Sequence, residues 1–472
     1  MPGEPAAMLI TRAQLEGGEV GDVRITRGQV ALIGALTPEL GERVVDAAGG
    51  LLLPGLHDHH IHAAALAASL TSVRCGPPEV ADAETFADAL RAAPGDDWLR
   101  GTGYHESVAG MLDAPALDAI IADRPVRVQH RGGRMWFLNS RALDLLLADQ
   151  APPPGLQRED GRFTGRLFDE DAWMKRTLGG RPPGLAAVGA ILARAGVTGL
   201  TDMSPANDAV MARHFAAQGA DGSLPQRVLL AGRLDLAEAD MTRLVTLGPA
   251  KLHLHEAELP DFDEAVAFMR DAHARGRGVA VHCATEVELV FTLAAFDAAG
   301  VQPGDRIEHA SVAPDTAVAE IARLGLPVCS QPHFIAERGD IYRAEVEPEL
   351  QPLLYRLGAF RDVGVTLAGG SDAPFGGPDP WAAMAAAVSR RTRDGALIGA
   401  AEALTPEEAL DLHLRAPEAL ERRRRVEVGA PADLCLIDRP WARARQALEA
   451  VQVRAAWVDG RMIFDGVDQA PA

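Results

Sequence analysis

Short apolar runs alternate with alanine-rich helical stretches over most of the chain. Eight runs have the length and composition of buried strands, and they lie at 51–62, 196–203, 226–232, 250–256, 278–283, 305–310, 326–332 and 365–372. The stretches between them have helix signals; residues 314–325, for example, open on a proline and close on a glycine. Alternating strands and helices are typical of a parallel α/β fold, and eight units predict a closed (β/α)8 TIM barrel.

The two ends of the chain have a different pattern, in which apolar and polar residues alternate over short runs. Residues 8–53 contain such runs separated by glycines, which predicts a small antiparallel sheet. The C-terminal end has similar runs around an Asp-Gly turn at 459–460. Before these last strands we expect a charged helix that ends in the arginine run at 422–425.

The segment 66–185 does not fit the count of barrel strands. It follows the first strand and is too long for an ordinary connection between a strand and a helix. We therefore predict an inserted subdomain, or lid, on the face of the barrel where the strands end.

Composition and charge narrow the classes of function. Apolar residues make up 47% of the chain and charged residues 24%, as in globular proteins. The formal net charge of -20 disfavours nucleic acids and anionic membrane surfaces as partners. The sequence shows neither a targeting segment nor an apolar stretch that could span a bilayer, so we predict a soluble cytoplasmic protein that acts on a small molecule. A homo-oligomer is compatible with the sequence.

The four cysteines are widely spaced and form no Cys-x-x-Cys pair. This spacing predicts buried free thiols rather than disulfides or a cysteine zinc site.

Histidines and charged residues cluster at the predicted carboxyl ends of the barrel strands, the face on which barrel enzymes carry their active sites. They are His60, His62, Lys251, His282, His309 and Asp372. His60 and His62 are two positions apart, so their side chains project from one strand in the same direction. Any one of these residues alone could be a core histidine or a helix cap, but the whole set predicts binding of a divalent metal.

Several motifs of this chain resemble the amidohydrolase superfamily, specifically its family 3 branch of YtcJ-like hydrolases. They include LLLPGLHDHHIH at 51–62, RIEHA at 306–310, GGSDAPF at 369–375 and VGAPADLCLID at 428–438. The resemblance implies a metal-bearing barrel with a small β-sandwich built from both chain ends. The predicted domains are thus 1–53 and 419–472 for the sandwich and 54–418 for the barrel, which contains the insertion.

The resemblance also implies roles for individual residues. His60, His62, His282 and His309 would be metal ligands, and Asp372 would be both ligand and general base. Lys251 matches a lysine that is carboxylated in members with two metals and bridges them. The metal would be Zn²⁺ or a similar divalent ion, present as one or two ions.

Residues around the predicted ligands have weaker assignments. Asp58 is expected beneath the first metal, where it orients a ligand histidine. His57 and His59 point away from the ligands along the same strand, so we interpret them as structural.

The chain has only two lysines, Lys175 and Lys251, among its 46 basic residues. A chain that uses arginine wherever a positive charge suffices would keep a lysine for amine chemistry, which supports N6-carboxylation of Lys251.

Substrate contacts are the least constrained part of the sequence. Arg131 and Arg134 could clamp a substrate carboxylate, and His255 lies where substrate would be held. The family commonly has an Asp-Gly pair at the positions of His255 and Glu256, and usually a histidine at the position of Arg134. These departures leave the substrate open.

The predicted reaction is hydrolysis of a C–N bond in an amide, N-acyl compound or cyclic amide, with metal-activated water and Asp372 as base. One alternative is a ring-amidine deaminase. Such enzymes have a glutamate three residues after the histidine of strand 5 and lack the strand-4 lysine, whereas this chain has Glu286 four residues after His282 and keeps Lys251. The other alternative is a noncatalytic scaffold, which we would expect to have lost some of the ligands.

Overall fold

The computed structural model describes residues 7–77, 79–95, 97–179 and 182–466. The outermost residues of the two predicted sandwich segments, 1–6 and 467–472, lie outside the described residues. The chain divides into two compact units, one formed by Met1–Ala63 with Gly184–Ala472 and the other by Ala64–Pro183. We call the second one the inserted unit. Among the described residues, no helix is long and apolar enough to cross a membrane.

The strands are β1 (Met8–Gln14), β2 (Val20–Thr26), β3 (Gln29–Gly34), β4 (Arg43–Asp46), β5 (Leu52–Pro54), β6 (Leu56–Ile61), β7 (Val73–Arg74), β8 (Leu99–Tyr104), β9 (Val126–His130), β10 (Met135–Leu138), β11 (Leu156–Glu159), β12 (Arg162–Phe168), β13 (Val197–Asp202), β14 (Arg227–Gly232), β15 (Val245–Leu252), β16 (Val279–Cys283), β17 (Arg306–His309), β18 (Val328–Ser330), β19 (Leu367–Gly369), β20 (Arg415–Ala416), β21 (Ala419–Arg423), β22 (Leu434–Ile437), β23 (Val453–Val458) and β24 (Arg461–Asp465).

The helices are α1 (Ala63–Leu70), α2 (Ala83–Arg91), α3 (Glu106–Ala109), α4 (Ala114–Asp118), α5 (Ser140–Leu147), α6 (Asp171–Leu178), α7 (Ala186–Arg194), α8 (Ala209–Ala220), α9 (Phe262–Ala274), α10 (Glu286–Ala299), α11 (Asp315–Leu324), α12 (His333–Glu345), α13 (Leu357–Asp362), α14 (Pro380–Ser389), α15 (Pro406–Asp411) and α16 (Trp441–Ala444).

Eight parallel strands form a nearly closed barrel, which confirms the barrel predicted from the sequence. Their hydrogen-bonded order is β19-β18-β17-β16-β15-β14-β13-β6. Several helices between the strands begin or end on residues that favour helix termini. For example, α10 begins with a capping box between Thr285 and Glu288, and α11 ends on Gly325 in the left-handed conformation. Because the strands are parallel, their carboxyl ends meet on one face of the barrel.

The barrel closes where β19 meets β6. The backbone N–H of Asp372 donates to the carbonyl of His60 at 2.7 Å, and the N–H of His62 donates to the carbonyl of Ala373 at 2.9 Å. Gly370 permits this approach, because a Cβ atom there would lie 2.4 Å from the Cβ of His60. The segment that follows β19 is thereby held directly against the histidine strand.

The sequence interpretation of residues 51–62 as one strand is wrong. The run is divided at Gly55, where a Cβ atom would lie 2.1 Å from the Thr198 side chain. β5 pairs antiparallel with β22 near the other end of the chain, whereas β6 belongs to the barrel. One continuous apolar run therefore serves two sheets.

The predicted charged helix before the C-terminal strands is also wrong, because Ala419–Arg423 form β21, which pairs with β20. The arginine run is held by one partner from the N-terminal end of the chain and by residues shortly before it in sequence. Arg423 forms ion pairs with Glu16 and Asp411 at 2.7 and 2.5 Å. Arg424 donates to two backbone carbonyls. These contacts compensate the positive charges in an extended conformation.

Strands from both ends of the chain form two further four-stranded sheets, in the orders β3-β2-β1-β4 and β24-β23-β22-β5. Buried side chains of both sheets belong to one apolar cluster, which includes Ile10, Val23, Leu434 and Trp457. The four cysteines are buried free thiols, as predicted.

The inserted unit contains a six-stranded sheet in the order β11-β12-β10-β9-β8-β7. Two apolar clusters lie in this unit. One is centred on Phe86, Tyr104 and Phe137, and the other includes Trp136 and Trp173. Its predicted function as a lid stays a prediction.

Candidate metal centre

The predicted ligands lie at the carboxyl ends of the barrel strands or directly after them. Three of them come into mutual contact. The Nε2 atoms of His60 and His62 lie 3.4 and 3.1 Å from Oδ1 of Asp372. The ligand atoms of this trio all lie within 4.8 Å of one another, a spacing that could hold a metal ion.

The remaining histidines continue from this trio around the barrel. The ring centroid of His309 lies 4.6 Å from that of His60 and 4.5 Å from that of His282. Lys251 lies on β15, the strand next to the one that carries His282, and is buried. Its Nζ atom has no hydrogen-bond partner among the described residues. The structure therefore assembles the predicted set at one end of the barrel.

Two of these residues have unusual backbone conformations. Asp372 has φ of 52° and His309 has φ of 69°, both in the left-handed region that residues with a Cβ atom rarely adopt. Such strain clusters at functional sites, where the surrounding structure holds it in place.

Burial sets the protonation of the site. It lowers the pKa of His60, His282 and His309, and nearby positive charges lower it further for His60 and His282. Burial also lowers the pKa of Lys251. The three imidazoles are therefore neutral and have a lone pair to donate, as metal ligands must.

For the carboxyl group of Asp372, burial does not decide the direction of the pKa shift. Burial acts to raise its pKa, but the electrostatic interactions with the neighbouring rings of His62, His60 and His309 outweigh burial. The pKa of Asp372 thus lies below its ordinary value, and the carboxylate is ionised at neutral pH.

Glu308 is a buried residue of this site that the sequence interpretation missed. The Nδ1 of His60 donates to Oε2 of Glu308 at 2.5 Å, which leaves the Nε2 lone pair of His60 directed at the Asp372 side. The other oxygen of Glu308 accepts from Nε of Arg306 at 2.5 Å, and Arg306 also donates to the carbonyl of His59 at 2.7 Å. Glu308 thereby fixes both the tautomer and the orientation of His60.

A second group of potential ligand atoms, from His60, Glu308 and Cys329, also lies within 4.8 Å. Arg306 already neutralises Glu308 in this group, and burial raises the pKa of Cys329 well above its usual range. This group therefore supports the orientation of His60 rather than offering a second cation site. An Arg and a Glu two positions apart on a buried strand, as in RIEHA, were the available sequence signal.

Further hydrogen bonds fix the rings and the backbone of the candidate ligands. The Nδ1 of His309 donates to Oε1 of Gln331 at 2.7 Å, and the Nδ1 of His62 lies 3.2 Å from Oγ of Ser204. Asp58 accepts from the backbone N–H groups of His60 and Ser371 at 3.1 and 2.9 Å. Asp58 thus binds the backbone of the two segments that carry His60 and Asp372, and burial raises its pKa to about 6.

The two histidines interpreted as structural are both buried. The Nε2 of His57 lies 3.0 Å from Oγ1 of Thr201, and the ring of His59 lies 4.5 Å from that of His57. Their ring contacts are with each other and with the neighbouring strand.

His253 is a second residue that the sequence interpretation missed. Its ring stacks on that of His282, with centroids 4.4 Å apart and an interplanar angle of 12°, although the residue is exposed to solvent. It directly follows β15, and its spacing of two from Lys251 in the run 250–256 was the signal that could have found it. His255, predicted to contact substrate, is exposed, and its ring lies 4.6 Å from that of His253.

The two arginines predicted to bind substrate lie in the inserted unit. Arg134 makes a bidentate contact with Asp169, with N–O distances of 2.7 and 2.6 Å, and Arg131 is exposed. Their predicted role, like the other individual roles assigned from the sequence, stays a prediction.

Comparison with known proteins identifies the family. The sequence model of the amidohydrolase family matches residues 43–464. The chain belongs to this family, in its family 3 branch. The amidohydrolase is 25% identical over 516 aligned residues to the N-substituted formamide deformylase of Arthrobacter pascens, with 94% of each chain covered. It is 23% identical over 489 residues to YtcJ of Bacillus subtilis (strain 168), which is named as an amidohydrolase, with 91% of each chain covered.

A solved structure supports the same fold. The chain superposes on an uncharacterized metal-dependent hydrolase from Pyrococcus horikoshii OT3 with a TM-score of 0.75 at 20% identity, covering 92% of this chain and 98% of that one. As a member of the amidohydrolase family, the protein is an enzyme that acts on carbon–nitrogen bonds other than peptide bonds. The alternative of a noncatalytic scaffold is set aside.

Proposed function

We propose that this amidohydrolase hydrolyses the C–N bond of a small amide, with Asp372 as the general base. The observation that carries the proposal is the convergence of His60, His62 and Asp372, whose ligand atoms lie within 4.8 Å of one another. The role of each residue rests on its chemistry and on its contacts.

The donor set fits a divalent cation such as Zn²⁺. His60, His62, His282 and His309 provide imidazole nitrogens, and Asp372 provides a carboxylate, the ligand types that Zn²⁺ prefers. Such a set of desolvated donors facing one ionised carboxylate is costly to assemble without a cation between them. A bound divalent cation supplies Lewis acidity, which polarises a carbonyl group and lowers the pKa of water from 15.7 to about 7.

Asp372 moves the proton. Its carboxylate is ionised, so it can accept a proton from the attacking water and pass it to the nitrogen of the departing amine. The Nε2 of His62 lies 3.1 Å from the same carboxylate, so both groups face one position for a cation. Glu308 keeps the Nε2 of His60 free of its proton throughout.

Lys251 supplies a further ligand after carboxylation. Its buried Nζ has no hydrogen-bond partner within the residues that the structure describes, and its lowered pKa favours the neutral amine. The amine lone pair forms a bond to the carbon of CO₂ and one N–H proton leaves to solvent, which produces an anionic carbamate. The two oxygens of this carbamate would offer ligand atoms for a second cation, whereas an arginine could not undergo this step.

N-substituted formamides are the first substrates to test. This choice rests on the relative from Arthrobacter pascens, named for the deformylation of such compounds and alignable over 94% of this chain. The deaminase alternative is less well supported, because Lys251 is present and Glu286 is an exposed residue at the start of α10.

The test combines a substrate panel with metal analysis. The panel contains N-substituted formamides, N-acyl amino acids, lactams and ring amidines, and elemental analysis measures the metal content. We expect amide hydrolysis, one to two metal equivalents per chain, and loss of activity with a chelator. A metal-free protein whose activity resists chelators, or release of ammonia from ring amidines alone, would overturn the proposal.

A further inference from the structure

Arg100 and Arg127 stand side by side in the inserted unit. They lie on β8 and β9, two parallel strands whose register pairs one arginine with the other. Paired residues on adjacent strands are about 4.8 Å apart and project from the same face of the sheet. Both side chains are half-buried. The sheet therefore presents two guanidinium groups close together on one face.

Tryptophans lie beside these two groups. The Cζ atoms of Arg100 and Arg127 are 5.4 and 5.5 Å from the ring centroid of Trp136, and that of Arg127 is 5.7 Å from the ring of Trp98. Aromatic faces hold guanidinium groups in place, but they carry no net negative charge. The cluster is thus positioned without being neutralised.

The hydrogen-bond partners of the pair are few and neutral. Arg100 donates to Oγ of Ser72 at 2.8 Å and to Oε1 of Gln129 at 3.2 Å. The Nε of Arg127 is buried and has no hydrogen-bond partner in the described ranges 7–77, 79–95, 97–179 and 182–466. Within the part of the chain that the structure describes, neither guanidinium forms an ion pair with a carboxylate.

Asp171 is the acidic residue whose charge acts on the arginine pair, but it does not form an ion pair with either arginine. Its charge acts on both arginines, but its carboxylate lies beyond ion-pair distance of either and accepts from the indole N–H of Trp136 at 2.9 Å. Two cations therefore share one carboxylate that neither of them contacts. Buried charges in proteins are normally paired, so this arrangement lacks an anion.

We propose that Arg100 and Arg127 form a binding site for a small oxyanion, either a carboxylate or a phosphate, beside Trp98 and Trp136. A guanidinium is a planar fork that binds two oxygens of such an anion at once, and an aromatic carboxylate could in addition pack against the indoles. The chain as a whole carries a net charge of -20 and repels anions, so a local pair of unneutralised cations is distinctive. The inference rests on the arginine pair itself and not on the proposed amide chemistry.

The electrostatics agree with this assignment. Burial, with a smaller contribution from the charge of Arg127, lowers the pKa of Arg100 to about 10, so Arg100 remains cationic at neutral pH but is destabilised by its neighbour. An anion between them would remove this repulsion.

The test is calorimetric titration of the full chain with sodium phosphate and with sodium benzoate, at an ionic strength held constant with NaCl. We expect saturable binding of at least one of these anions. Arg127→Gln should weaken it at least about tenfold, because a charge-assisted hydrogen bond is lost. The matched control is Arg158→Gln, since Arg158 lies 4.0 Å from the ring of Phe163 in the same sheet but has no second arginine as its register partner. Equal binding by the wild type and Arg127→Gln, or an equal loss in Arg158→Gln, would overturn the proposal.

Two further measurements keep the test decisive if Arg127→Gln does not fold. Arg127→Lys keeps the charge but loses the fork and should show an intermediate loss. In the wild type, phosphate or benzoate should shift the indole N–H signals of Trp98 and Trp136 more than those of the other four tryptophans. Unmoved indole signals at saturating anion would contradict the site.

Steady-state kinetics shows whether the oxyanion is part of the substrate or a separate ligand. If the oxyanion belongs to the substrate, Arg127→Gln should raise KM for an N-formyl amino acid and leave KM for an N-alkyl formamide unchanged. If the anion is a separate ligand, both KM values should remain equal to those of the wild type while phosphate or benzoate binding is lost. A uniform fall of kcat for both substrates without loss of anion binding would count against the site.

Discussion

The barrel mouth and the sheet of the inserted unit each contain charge that the protein does not neutralise, but of opposite sign. In the barrel, Asp372 is ionised and faces imidazoles whose lowered pKa values keep them neutral. In the inserted unit, Arg100 and Arg127 are cationic and face neutral groups. The first region is therefore suited to a cation and the second to an anion.

Other buried charges show that the protein can neutralise or solvate its ionic groups internally. Glu308 and Arg306 are both buried and form an ion pair of 2.5 Å directly behind His60. Arg390 is fully buried and donates to the backbone carbonyls of Leu354, Tyr355 and Ile398. Arg127 differs from it, because no carboxylate or carbonyl group of the described part of the chain is its partner.

The largest expected effect is on kcat, and it follows from removing the negative charge of Asp372. Asp372→Asn removes the proton acceptor but keeps the size and the oxygen of the side chain, so kcat should fall by about 10² to 10⁴ while metal remains largely bound. Turnover on the best formamide and metal content by elemental analysis measure the two quantities separately. Near-normal turnover in this variant would place the general base elsewhere.

Lys251→Arg is expected to lose about one metal equivalent and to reduce activity by on the order of 10²-fold, because guanidinium cannot form the carbamate. Lys251→Ala should regain part of its activity with added acetate or propionate, which replace the carbamate oxygens. Lys175→Arg, at the other lysine of the chain, is the matched control and should behave as the wild type. Full activity of Lys251→Arg would rule out a bridging role.

Much of the barrel was predictable from the sequence because its strands and helices follow from patterns of neighbouring residues. Strand and helix periods identify eight units, and parallel topology then brings their carboxyl ends to one face, which is how His60, His282 and His309 were placed in one region. The division of 51–62 was not predictable in this way, because it depends on pairing between β5 and β22, nearly 400 positions apart in sequence. The strand at Ala419–Arg423 likewise depends on Glu16, a partner from the opposite end of the chain.

For the candidate site, too, some residues could be predicted from the sequence and others could not. A motif shows which residues reach the barrel mouth, but it does not show what lies behind them. Glu308 meets His60 across 248 positions, and the register that pairs Arg100 with Arg127 is a property of the folded sheet. Contacts of this kind depend on strand order and packing, which no local pattern encodes.

Glu308→Gln tests the buried ion pair between Glu308 and Arg306 that lies behind His60. Loss of the carboxylate should weaken metal binding by about 10- to 100-fold, because the Nδ1 proton of His60 is no longer held by an anion. The matched control is Glu402→Gln, since Glu402 is a buried glutamate that contacts Arg356 at 3.1 Å but no histidine. Titration of the metal-free protein with Zn²⁺ measures the affinity.

Both variants break a buried ion pair and should lose similar stability, but only Glu308→Gln should lose metal affinity and the ¹⁵N signature of the Nδ1-protonated tautomer of His60. Glu308→Asp, which keeps the charge, should recover part of the affinity. Equal metal affinities for Glu308→Gln and Glu402→Gln would show that Glu308 is merely structural.

The smallest expected effect compares the two charged regions in one experiment on thermal stability. A ligand at ten times its Kd stabilises the folded state by about 1.4 kcal/mol, a shift in Tm of roughly 2 °C for a chain of this size. Zn²⁺ should stabilise the metal-free form of Arg127→Gln as it does the wild type, whereas phosphate or benzoate should stabilise Glu308→Gln but not Arg127→Gln. Each variant should thus lose the response to one ligand and keep the response to the other. A variant that loses both responses would mean that the two regions are energetically coupled, and the contrast between a cation site and an anion site would then have to be abandoned.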